Sequence, residues 1–85
     1  MIPERVLDLL EDLADKLGIE LRYSILDSDG GLCKVKGRMV LMVDLNLPIS
    51  EKIRVIARCL PRDGLENMYI PPAIRATIER ENEDS

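Results

Sequence analysis

The chain contains no histidine, no tryptophan and no phenylalanine, and its aromatic content is two tyrosines. Without histidine it has neither the usual general base at neutral pH nor the commonest nitrogen ligand for zinc. Without a set of aromatic rings there is no platform on which bases or sugars could stack. Cysteine is nearly as scarce: Cys33 and Cys59 stand alone, 26 positions apart and outside any CxxC pattern. A one-chain structural zinc site is thereby excluded, and in a reducing compartment both thiols are expected as small apolar side chains.

Positive charge is also in deficit. Twelve Lys and Arg stand against sixteen Asp and Glu, a formal charge of −4 with a pI near 4.8. A nucleic-acid-binding domain ordinarily presents a net basic surface, so nucleic acid is not expected as a partner. No apolar run approaches the roughly 20 residues that cross a bilayer. Met1–Arg5 leads into a helical pattern rather than a signal peptide, and the expected location is cytoplasmic, with no membrane partner.

What the chain does have is aliphatic: 46% of its 85 residues are hydrophobic, mostly Leu, Ile, Val, Met and Ala. That suffices for one core in one domain, with a stability on the order of 3–5 kcal/mol. Val6, Leu7, Leu10, Leu13, Ala14 and Leu17 repeat with helical spacing, Pro3 suits the first turn, and Gly18 suits the cap. The period then falls to two, with Ile19, Leu21, Tyr23 and Ile25 on one side of a strand. Asp27-Ser28-Asp29-Gly30-Gly31 turns the chain, and Leu32–Lys36 and Arg38–Asp44 form a hairpin about Gly37.

Met39–Val43 is apolar on both sides and should be central or doubly covered. Ser50 is the expected N-cap of a helix carrying Ile53, Ile56, Ala57 and Leu60, which Pro61 ends. Pro71-Pro72 opens a short third helix with Ile74 and Ile78. The expected fold is α+β: an opening helix, a three-stranded, mainly antiparallel sheet, a second helix and a short C-terminal one. Residues 1–78 form the domain, and residues 79–85 an acidic, disordered tail. The expected core is Val6, Leu10, Leu13, Leu17, Leu21, Tyr23, Cys33, Val35, Leu41, Val43, Ile53, Ile56 and Leu60.

Two loop motifs fail on spacing. Asp27-Ser28-Asp29-Gly30 begins like a calcium loop, but Gly31 and Arg38 occupy positions where an EF-hand needs carboxylates. Gly30-Gly31 with Lys34 and Lys36 lacks both the spacing and the following helix of a phosphate loop. No metal or other cofactor is expected.

Three sets of residues remain as candidates. Arg22, Lys34, Lys36 and Arg38 fall on the polar side of the alternation and, if the strands form a meander, make one cationic docking surface for an acidic partner. Solvated lysines that blunt edge pairing would look the same. Leu26, Leu32, Val40 and Met42 fall on the opposite side of the sheet from the two long helices, where a second copy could bury them in a two-fold dimer. Cys33, placed on the buried side, and Cys59, about 60° from the Ile56–Leu60 line, are the candidates for a reactive thiol.

The segment from Gly30 to Arg62, GGLCKVKGRMVLMVDLNLPISEKIRVIARCLPR, is similar to a group of short bacterial proteins with a Gly-Gly-Leu-Cys-basic hairpin, a strand ending in Asp, a capped helix and a late Pro-Pro. That group brings no established activity. The order of elements also resembles the core of zincin-like metallopeptidases of the ImmA/IrrE type, whose helix reads Ala-His-Glu-x-x-His. Ala57 matches the alanine, but Arg58, Cys59 and Arg62 stand at the His, Glu and His positions. A peptidase of that type is therefore excluded on chemical grounds. The sequence leaves two functional expectations: a non-catalytic binding or regulatory module with a protein partner, or a thiol-dependent enzyme or sensor.

Overall fold

A computed structural model of the chain describes residues 1–83 and shows three helices and one mixed three-stranded sheet. The order is α1 (Pro3–Lys16), β1 (Glu20–Ser24), β2 (Gly30–Val35), β3 (Arg38–Asp44), α2 (Ile49–Cys59) and α3 (Pro72–Glu81). The α+β architecture is as the sequence patterns require.

Each helix enters from proline. Pro3 and Pro72 are at the first helical positions of α1 and α3, and Pro48 is the residue before α2. A proline at this point sacrifices no helical hydrogen bond, and its fixed φ sets the direction of the first turn. Ser50 is accordingly not the cap of α2: the helix begins at Ile49, and the Glu51 and Lys52 amides donate to Pro48 O at 3.0 Å each. The end of α1 is a Schellman motif. Gly18, at φ 77°, donates to Asp15 O at 3.0 Å, and Ile19 donates to Ala14 O at 2.9 Å. This turn sends the chain directly into β1 with Ile19 buried behind it.

The sheet differs from the expected mainly antiparallel meander. Its order is β1-β3-β2, with β1 parallel to β3 and β2 antiparallel to β3. The most apolar strand thus takes the centre, where both of its edges are hydrogen-bonded. A meander would instead have put β2, with two glycines and a lysine, in that position. The β2–β3 turn is Lys36-Gly37, with both residues at positive φ, as a two-residue primed hairpin turn demands.

All the helices lie on one side of the sheet. Leu21, Tyr23, Met39, Leu41 and Val43 face them, joining Leu10, Leu13, Ala14, Val55, Ile56 and Ala57 in one core. The third helix packs on α2 and α1 and does not touch the sheet. Ile74 and Ile78 are buried there, and the intervening loop adds Leu65 and Ile70. Of the expected core, Leu10, Leu13, Leu41, Val43, Ile53, Ile56 and Leu60 are buried, while Val6, Leu17, Leu21 and Tyr23 are partly so. Cys33 and Val35 are exposed, which corrects the expectation for both.

The C-terminal boundary also moves. Residues 79–81 continue α3, and Asn82 anchors its end by donating to Ala57 O and Ile78 O. Structure therefore runs beyond the expected start of a tail at Glu79, and the last expected tail residues, Asp84 and Ser85, lie outside the described residues.

Candidate functional site

The face of the sheet turned away from the helices is built by strand alternation. The register pairs Glu20 with Val40 and Arg22 with Met42 on one side of β3, and Cys33 with Val40 and Gly31 with Met42 on the other. Leu41 and Val43 belong to the helix-side core and Val40 does not, so the residues alternating with them share the open face. That face carries Glu20, Arg22 and Ser24 on β1, Arg38, Val40, Met42 and Asp44 on β3, and Gly31, Cys33 and Val35 on β2.

Val40 is 1% exposed although, among the described residues, it stands outside the helix-side core. Its position in the middle of the central strand, between Glu20 and Cys33, leaves it sealed by same-face neighbours. Arg22 donates through Nε to the Glu20 carboxylate. That hydrogen bond, with the charges of Arg22 and Arg38, holds the Glu20 carboxyl below its ordinary range against the opposing effect of desolvation. At the end of the face around Glu20 one carboxylate stands against two guanidinium groups, a local positive surplus, while Asp44 at the far end of β3 brings the face as a whole to formal neutrality.

The four expected docking cations separate. Arg22 and Arg38 are together around Glu20, but Lys34 shares its side of β2 with Leu32 and points to the helix side. Lys36 occupies the hairpin turn. The expected aliphatic dimer surface separates as well. Val40 and Met42 are on the open face, Leu32 pairs with Leu41 on the other, and half-buried Leu26 lies in the loop after β1. Cys33 and Val35 replace Leu32 on the open face, both exposed.

The two thiols are on opposite sides of the sheet. Cys33 is exposed on the open face, whereas Cys59 is half-buried in the last turn of α2 and packs against the helix-side core. They cannot form an intramolecular pair without breaking the sheet between them.

On the helix side, the Tyr23 hydroxyl donates to the Glu11 carboxylate, and Lys52 Nζ sits 5.5 Å from the centre of the Tyr23 ring. Burial, followed by this hydrogen bond and the charges of Glu11 and Asp8, pushes the Tyr23 phenol far above its ordinary value. The group is a staple between α1 and β1, with its acceptor already engaged.

A concavity of about 390 Å³, not visible in the sequence, lies between the 61–71 loop and α3, lined by Leu65, Ile70 and Ile78. Two arginines, Arg62 and Arg75, and two glutamates, Glu66 and Glu79, also line it, so its formal side-chain charge sums to zero and favours no ligand charge. Among the described residues, no three carboxylates or thiols converge to hold a metal ion, and no helix is long and apolar enough to cross a membrane. No protein-family model, no curated protein and no solved structure matches the chain.

Proposed function

We propose that the protein is a small, non-catalytic docking module whose open sheet face receives an acidic segment of a protein partner. The observation that carries this reading is the composition of one end of that face: apolar Val35, Cys33 and Met42 beside Arg22 and Arg38, with one carboxylate, Glu20, for the two guanidinium groups there and Asp44 at the opposite end of β3. Apolar area supplies affinity, and the local surplus of positive charge at the Glu20 end supplies orientation and a faster encounter. The reading contains no peptidase step, because Arg58, Cys59 and Arg62 occupy the positions of the zincin ligands and base.

Affinity capture from a cell extract tests it, with the native chain compared against Arg22→Glu/Arg38→Glu. The native chain should retain a protein that the charge-reversed chain releases, and added salt should weaken the retention. Identical captured proteins on both chains, or retention indifferent to salt, would overturn the reading.

The exposure of Cys33 favours a second reading, thiol chemistry on the same face. It requires a thiolate stabilised by its surroundings. A labelling rate at Cys33 well above that of a free thiol at neutral pH would favour it over docking, and a rate no faster than a free thiol's removes it.

A further inference from the structure

The edge of β2 is written in a self-complementary way. Asp44 N donates to Asp29 O at 3.0 Å, which makes residues 29 and 44 a hydrogen-bonded pair in the β2–β3 ladder. Such pairs recur at every second position of an antiparallel ladder, so Gly31 with Met42, Cys33 with Val40 and Val35 with Arg38 are bonded likewise. The main-chain groups of Gly30, Leu32 and Lys34 consequently point out of the sheet. Among the described residues no further strand pairs with them, and this edge holds no proline. Two of the exposed large hydrophobic side chains, Leu32 at 37% and Val35 at 39%, are on this strand.

Its charges have a direction. Asp27 and Asp29 precede the strand, and Lys34 and Lys36 end it, so the two signs are on opposite sides of Leu32. Running two copies antiparallel brings the acidic end of each beside the basic end of the other. A parallel arrangement would set like charges together.

We infer that two copies of the chain join through their β2 edges across a two-fold axis at Leu32, forming a continuous six-stranded sheet of order β1-β3-β2-β2-β3-β1. The outward groups must pair with one another, which sets Leu32 against Leu32 of the second copy and Gly30 against its Lys34. The Leu32 pair buries exposed apolar surface on the helix side, and glycine opposite lysine leaves room for the long side chain. On the other side, the two open faces become one platform with Cys33 and Val35 near its centre. The axis is through β2 whereas Arg22 and Arg38 are on β1 and β3, so failure of this pairing leaves the docking reading standing. Six residues of edge per copy form a small interface, and association at roughly micromolar concentration or above is expected.

Sedimentation equilibrium of the native chain from micromolar to roughly millimolar concentration should show the mass rising from 9.6 kDa toward twice that value. Lys34→Glu/Lys36→Glu, all acidic along the edge, and Asp27→Lys/Asp29→Lys, all basic, should each dissociate at least about tenfold more readily. Mixing the two variants should restore dimers, since every contact then joins opposite charges; this outcome also shows that both variants fold. Leu32→Cys in a Cys33→Ser background should form a disulfide-linked dimer under mild oxidation, because hydrogen-bonded antiparallel partners are roughly 5.5 Å apart at Cα. A native chain that stays at 9.6 kDa, a dimer indifferent to both reversals, or a dimer that Leu32→Cys does not link would each overturn the inference.

Discussion

The side-chain amide of Asn82 donates to the main-chain oxygen of Ala57, 3.3 Å away, tying the end of α3 to α2. The same amide donates to Ile78 O at 2.7 Å. A polar side chain just after the last turn therefore closes the C-terminal end of one helix against the body of another.

Asn82→Ala should lower the unfolding free energy by about 1–2 kcal/mol, the usual effect of leaving part-buried acceptors without their donor. Urea titration followed by circular dichroism measures it. A midpoint equal to that of the native chain would show that these two hydrogen bonds do not hold α3 in place.

Gly30 and Gly31 are adjacent but have opposite tolerances. Gly30 has φ 130°, and a Cβ there would lie 2.0 Å from Met42 O, whereas a Cβ at Gly31 meets nothing within 4 Å. Gly30→Ala should cost more than about 3 kcal/mol, enough to unfold much of a domain this small. Gly31→Ala should stay within about 1 kcal/mol of the native chain. Thermal melts of the pair distinguish them.

Tyr23 makes stability fall in alkali. Its phenol titrates at a higher pH in the folded chain than in the unfolded one, because burial and the bond to Glu11 oppose the phenolate. The stabilisation is fully present below the unfolded value of about 10 and is lost progressively as pH rises above it. Tyr23→Phe should flatten this alkaline decline, as read from urea midpoints at increasing pH. A decline as steep in the variant would assign it to other groups.

Native-state alkylation should modify Cys33 before Cys59, since the first is exposed and the second packs against the core. Mild oxidation should yield no intramolecular disulfide. Mass spectrometry after partial labelling checks both points.

The parity of β2 shows how far the sequence could be read. Leu32, Cys33 and Val35 are all apolar, so alternation alone accepts either face of this edge strand. The turn decides the matter: a two-residue hairpin at Lys36-Gly37 pairs Val35 with Arg38, and therefore Cys33 with Val40 and Leu32 with Leu41. Leu41 was legible as core, so Leu32 could have been placed beside it from the turn alone. The helices were readable because their apolar stripes and proline starts agree. The central place of β3 was legible from its two apolar faces, but its parallel partner was not. Pairing β1 with β3 depends on a five-residue loop, 25–29, crossing the sheet to leave a slot, and no residue in that loop announces the crossing. The cationic cluster was half legible for the same reason: Arg22 and Arg38 meet through the β1–β3 register, and Lys34 leaves them through the parity of β2.

The insertion of β3 between two strands that precede it also sets an order of events. Glu20 pairs with Val40, twenty positions along the chain, whereas Val35 pairs with Arg38 across the two-residue turn. Closing the short loop costs far less chain entropy, so the β2–β3 hairpin should form first and present the free edge of β3. The first helix and β1, already joined by the Schellman turn at Gly18, would then dock as a unit. In stopped-flow kinetics, Gly37→Ala, which strains the turn at φ 81°, should mainly slow folding, and Leu21→Ala in β1 should mainly speed unfolding. The reverse pattern would mean that the long-range parallel pair organises the barrier.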